Sequence, residues 1–150
     1  MDMRALYEEV ILDHNRNPRN FGRKPDGRIC SAHGHNPLCG DEVQVHIRVV
    51  GGVIEDIAFE GHGCAISTAS ASLMTEALKG KSQAEAAALF DAIHKYLTVQ
   101  DDGDEDTDQL GKLTVLGGVK EYPMRVKCAT LAWHTLQAAL EHDGKPVTTE

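Results

Sequence analysis

The sequence has no basic cluster of five or more residues, and its 15 Lys and Arg stand against 23 Asp and Glu, for a net charge of −8. Phosphate binding needs a positive footprint, so nucleic acid is not an expected partner. Long apolar runs are also missing: the longest stretches are only a few residues, far short of the roughly 20 that span a bilayer. Met1 to Glu9 carries acids where a secretory signal would be basic and then apolar. The expectation is a soluble, cytoplasmic chain with no membrane partner. There is no CxxC pair, because Cys30, Cys39, Cys64 and Cys128 are widely spaced. In such a compartment they are expected as reduced thiols and not as disulfide staples.

What is present is ordinary for a globular protein, with 41% apolar and 25% charged residues, and this excludes disordered and fibrous readings. A length of 150 residues predicts a single domain spanning 1–150. A chain of this size can bury a core unaided, so a metal here would serve chemistry, not folding.

Asp2 is placed to cap a helix from about Met3 to Asp13, ended by the segment that contains Pro18. Arg28 to Ala32 reads as a strand, and His33 to Gly40 as an ordered loop. Val43, Val45, Ile47 and Val49 alternate with polar residues, which is the period of a strand with one buried face. Gly51-Gly52 supplies a hairpin turn, and Val53 to Glu60 returns as the antiparallel partner. A helix follows from about Ala65 to Lys79, stopped by Gly80, and the capping box Ser82-Gln83-Ala84-Glu85 starts another from Gln83 to about Tyr96. Asp101 to Asp108, six of eight residues acidic, reads as a solvated loop or a docking surface. Leu110, Leu113 and Leu116 suggest a helical turn. A last helix runs from Pro123 to about Glu141, with Cys128, Leu131, Ala132, Thr135, Leu136 and Ala139 on one stripe.

Three cysteines fall at element boundaries. Cys39 precedes Gly40-Asp41, so a thiolate and a carboxylate can reach one point if Gly40 bends the chain; Cys64 opens a helix; Cys128 lies early in the last helix, three residues after Arg125. Helix starts and nearby cations favour the thiolate, which is both ligand and nucleophile. Cys39, Asp41, Cys64 and Cys128 together supply three sulfurs and an oxygen, a set that suits tetrahedral zinc or one edge of an iron–sulfur cluster. Cys64 and Cys128 are tied to helix starts and Cys39 to a loop, so Cys39 is the thiol expected to leave the metal and attack.

Four ordered stretches carry a resemblance: Asp13 to Asn20 (DHNRNPRN), Asn36 to Asp41 (NPLCGD), Phe59 to Ser67 (FEGHGCAIS) and Tyr122 to Trp133 (YPMRVKCATLAW). Over about residues 4 to 141 the chain resembles the SufU branch of the IscU/NifU-type iron–sulfur assembly proteins. The resemblance implies an α+β fold, a three-stranded antiparallel sheet with helices packed on it, and implies that Cys39, Asp41, Cys64 and Cys128 correspond to the metal ligands. One departure separates the branches. Where IscU-type scaffolds place a histidine before the third cysteine, this chain has Lys127, and the stretch between Cys64 and Cys128 is longer than in that group. Both features resemble SufU.

The resemblance therefore implies a zinc-dependent acceptor of persulfide sulfur from a SufS-type cysteine desulfurase, passing sulfur on to downstream Suf assembly proteins. The alternative is a scaffold holding iron or a [2Fe–2S] cluster. Cys39 is the expected sulfur acceptor, and Arg125 is expected either to tune Cys128 or to dock the partner. Outside the motifs, Cys30 reads as a half-buried structural thiol, His62 as a solvent-facing turn residue, and His33 and His35 as loop residues offering at most adventitious metal contact. Trp133 and Leu136 read as core.

Overall fold

A meander of three antiparallel strands follows the first helix, because alternation and the Gly-Gly turn dictate it locally. The computed structural model describes residues 3–37, 40–98, 110–120, 122–141 and 147–148. Helix α1 (Met3–Arg16) is followed by β1 (Cys30–Asn36), β2 (Asp41–Val50), β3 (Val53–His62), α2 (Ala65–Leu78), α3 (Gln83–Thr98), a 3-10 helix (Gly111–Val119), α4 (Pro123–Glu141) and β4 (Val147–Thr148). The sheet order is β3-β2-β1-β4. The short β4 runs parallel to β1, so the expected three antiparallel strands acquire a fourth, parallel edge.

Val43, Val45 and Ile47 point into the core as the alternation predicts, against Ile54, Ile57 and Phe59 of β3. An irregularity between Arg48 and Val49 shifts the β2–β3 register, pairing Arg48 with Asp56 and Val49 with Ile54. The bulge leaves Glu55 unpaired in the ladder and lets Ile54 and Ile57 share the buried face despite an odd spacing. Gly51 and Gly52 have φ of 60° and 80°, the left-handed pair that a tight hairpin turn requires.

One boundary differs from expectation. His33, Gly34, His35 and Asn36 belong to β1, where they pair with Gln44, Val43, Glu42 and Asp41, while Arg28 precedes the strand. The Gly-Asn-Pro content suggested a loop, but the glycine serves packing: a Cβ on Gly34 would collide with Thr135 and crowd Leu131 of α4. Strand β1 thus lies directly under α4, and its odd-numbered residues face the other side of the sheet.

Helix α2 is buried along nearly its whole length, using Ser67, Ala69, Ser70, Ala71 and Ser72 as well as Leu73, Met74 and Leu78. Small side chains let it pack on α1, α4 and β3 at once. Ser70 Oγ donates to the Ala129 carbonyl at 2.5 Å and accepts from Trp133 Nε1 at 3.3 Å. Trp133 and Leu136 are core residues, as expected. The capping box also forms, with Glu85 N–H on Ser82 Oγ at 3.0 Å and Ser82 N–H on Glu85 Oε1 at 3.1 Å. Among the described residues no helix is long and apolar enough to cross a membrane.

Between α1 and β1 the chain crosses the sheet. Residues Asn20 and Gly22 exchange backbone hydrogen bonds with Phe59 at 2.9 and 3.0 Å, and Arg23 then forks onto both carboxylate oxygens of Asp56 at 2.8 and 2.9 Å. The Arg23 guanidinium holds the Asp56 carboxyl down to about 2.

Candidate metal centre

Asp41, the first residue of β2, is fully buried. Gly40, with φ of 73°, supplies the bend that the sequence required there, and the Asp41 side chain turns toward the start of α2. Its Oδ1 accepts the backbone N–H of Cys64 at 2.8 Å, and its Oδ2 lies 3.8 Å from the Cys64 sulfur. Cys64 is the N-cap of α2, with φ −71° and ψ 168°, and its sulfur accepts the Ser67 N–H at 3.4 Å. In that position the sulfur takes up an amide of the first turn that no helix carbonyl can reach.

Cys128, buried, comes from the second turn of α4. One ligand atom each from Asp41, Cys64 and Cys128 lie within 4.8 Å of one another. Three elements from distant parts of the sequence therefore deliver three of the four anticipated donors to one place. The fourth, Cys39, lies outside the described residues, as does the acidic stretch Asp101–Asp108.

The donor set fits a soft or borderline divalent ion. Asp41 is a buried carboxylate with two sulfurs beside it, and among the described residues no Lys or Arg pairs with it. A buried anion in that position gains most from a cation held between the donors.

Two features of the site escaped sequence reasoning. Gly63 lies so near that a Cβ would sit 2.5 Å from Asp41 Oδ1, so the absent side chain makes room for the carboxylate; the signal was the glycine immediately before Cys64. The other is Tyr122, which is exposed and carries the Arg125 guanidinium over its ring at 4.7 Å. Arg125 is thus held against Tyr122 at the start of α4 by a cation–π contact. Of the remaining residues considered, His62 is exposed and sits 3.3 Å from Glu42, away from the three donors, and Cys30 is half-buried in β1.

The DHNRNPRN stretch lies elsewhere. His14, fully buried, meets Ser72 Oγ at 2.7 Å, the Arg19 N–H donates to the same oxygen at 2.8 Å, and Asn20 Nδ2 donates to Thr75 Oγ1 at 3.1 Å. This stretch fastens the end of α1 to α2 and contributes no donor to the Asp41–Cys64–Cys128 group.

Comparison with known proteins places these features in a family. Residues 6–129 match the NifU-like N-terminal domain. The chain belongs to that family. It is 42% identical to the zinc-dependent sulfurtransferase SufU of Bacillus subtilis, covering 89% of this chain and 88% of the relative. It is 41% identical to the iron–sulfur cluster assembly scaffold protein IscU of Streptococcus pyogenes, covering 93% and 85%. Among solved structures, a Fervidobacterium islandicum protein described as an iron–sulfur cluster assembly scaffold for the SUF system superimposes with a TM-score of 0.81 at 38% identity, covering 91% and 97%. The α+β fold and the SufU/IscU resemblance are thereby shown.

Proposed function

We propose that this chain is a cytoplasmic, single-domain, zinc-dependent sulfur acceptor, working with a SufS-type cysteine desulfurase and supplying downstream Suf assembly proteins. The observation that carries the reading is the convergence of the Asp41 carboxylate and the Cys64 and Cys128 sulfurs within 4.8 Å. The name of the Bacillus subtilis relative supports the choice of zinc and of sulfur transfer.

Cys39, Asp41, Cys64 and Cys128 would hold the ion, which when bound keeps its thiol ligands deprotonated and resistant to oxidation. Asp41 keeps its carboxylate oriented through the Cys64 N–H, and the Ser67 N–H orients the Cys64 sulfur. Sulfur transfer needs one thiolate to attack the outer sulfur of the donor persulfide. A new S–S bond forms on the acceptor, the donor's S–S bond breaks, and the donor cysteine leaves as thiolate with no net oxidation. Cys39 is the acceptor in this reading, and Arg125, exposed on its Tyr122 platform, docks the partner or favours thiolate at Cys128.

A second reading has support of its own, since the Streptococcus relative is named a scaffold: a [2Fe–2S] cluster assembled on the same donors. Incubation with desulfurase and cysteine separates the two. Sulfur transfer should leave a colourless zinc protein heavier by one sulfur atom, mapped to Cys39. A brown protein with iron and sulfide in equal amounts, and no persulfide on Cys39, would give the function to the scaffold reading instead.

A further inference from the structure

The face of the sheet turned away from α4 carries an unusual set of side chains. His33 and His35 of β1 project from it two residues apart, with rings nearly parallel and centroids 6.2 Å apart. Glu42 of β2 stands directly opposite His35, and His62 of β3 directly opposite Glu42. Asp41, the neighbour of Glu42, points to the other face and into the Asp41–Cys64–Cys128 group, so the two sets share a strand but not a side.

Strand geometry explains why these groups can meet. Side chains two apart on a strand are separated by about 6.7 Å, and directly opposed residues by about 5 Å at Cβ. His35 therefore neighbours both His33 along the strand and Glu42 across it, and Glu42 Oε2 already lies 3.3 Å from His62 Nε2. Side-chain rotation has to bring three donor atoms of this set together, since none of its triads already lies within 4.8 Å. Glu42 and His62 are exposed, so small rotations of their side chains cost little. A second observation points to a ligand: Nδ1 of His35 is buried with no hydrogen-bond partner among the described residues, and such an atom is costly unless something else meets it.

We propose that His33, His35 and Glu42, with His62 beside them, form a second cation site that takes a divalent transition-metal ion. Two or three neutral imidazoles and one carboxylate suit zinc, iron(II), cobalt or nickel, and with no sulfur they do not suit a cluster. The site is distinct in donor type from the thiolate group, and it stands whether or not that group serves sulfur transfer.

Cobalt(II) tests both sites on the full chain, because thiolate ligation gives an intense near-ultraviolet charge-transfer band and imidazole–carboxylate ligation does not. Equilibrium dialysis of the metal-free protein should find two cobalt ions per chain. The His33→Asn/His35→Asn variant should bind one, with the charge-transfer band intact. Glu42→Gln, at an exposed position that leaves the fold alone, should weaken the second ion at least tenfold. Cys64→Ser should lose the band and keep the histidine-bound ion. Two ions remaining in the double histidine variant would overturn the proposal, as would a single ion, with the band, in the unaltered chain. So would an equal loss on replacing His94 and His134, the histidine pair between α3 and α4. A missing band with the histidine ion retained would count against the thiolate centre alone.

Discussion

Helix α2 carries polar groups at two places that follow opposite rules. In its C-terminal half, Ser72 and Thr75 are enclosed by His14, Arg19 and Asn20, and their hydroxyls hydrogen-bond the His14 ring, the Arg19 N–H and the Asn20 amide. At its first turn, Cys64 meets Asp41 and Cys128, a carboxylate and two thiols, and among the described residues no Lys or Arg forms an ion pair with Asp41. The first arrangement is held by hydrogen bonds within the protein, whereas the second gathers donors that suit a bound cation. Both come from stretches that carried the family resemblance, so a shared motif does not by itself mean shared chemistry. One fastens, and the others carry the candidate donors.

The comparison breaks most sharply at Cys64. Serine is a better N-cap than cysteine, so Cys64→Ser should keep or slightly raise the metal-free thermal midpoint while emptying the thiolate centre. Elemental analysis and a melting curve read the two effects separately, and full metal occupancy after the change would end the ligand assignment. Gly63→Ala should touch both properties. The new methyl would force the Asp41 carboxylate off the Cys64 N–H, costing about 1–3 kcal/mol by overpacking and weakening metal retention about tenfold. Ser72→Ala should do the converse of Cys64→Ser. It strands the Arg19 N–H and the His14 ring nitrogen, and urea unfolding should show a loss of about 1–3 kcal/mol with metal content unchanged.

Sequence reasoning reached the meander, the four helices and the capping box because each has a local signal: alternation, Gly-Gly, Ser-x-x-Glu, Pro at a helix start. It anticipated that Asp41, Cys64 and Cys128 come together, as they do within 4.8 Å, because their contexts are helix starts and a glycine bend. It read His33–Asn36 as a loop because Gly34 is a turn residue by composition, while its use here is to admit Thr135 and Leu131, a contact made across more than 95 residues of chain. The β4 edge, the bulge at Arg48/Val49 and the His14–Ser72 pair were invisible for the same reason. Each is decided by a partner far along the chain, and no local pattern encodes it.

The smallest effect concerns pH and sharpens the contrast from the fastening side. His14 is pushed below the ordinary histidine range chiefly by burial, then by the charges of Arg19 and Lys112, with Glu76 and Asp13 acting the other way. Charging its ring would also leave Nε2 a buried donor, and that atom has no partner among the described residues. His134, between α3 and α4, is lowered too, by burial and by His94. A histidine with a depressed folded pKa is protonated first in the unfolded chain, so its contribution is complete above about pH 6.5 and is lost as pH falls from there toward the folded value. Each group can contribute a slope of at most about 1.4 kcal/mol per pH unit. Urea unfolding of the metal-free protein should therefore show lower stability at pH 5.5 than at pH 7.5. His14→Asn, which retains a polar atom near Ser72, should remove part of that difference, and His134→Gln a further part. An undiminished pH dependence in the double variant would place its origin outside both helices' histidines and leave the α1–α2 fastening insensitive to acid.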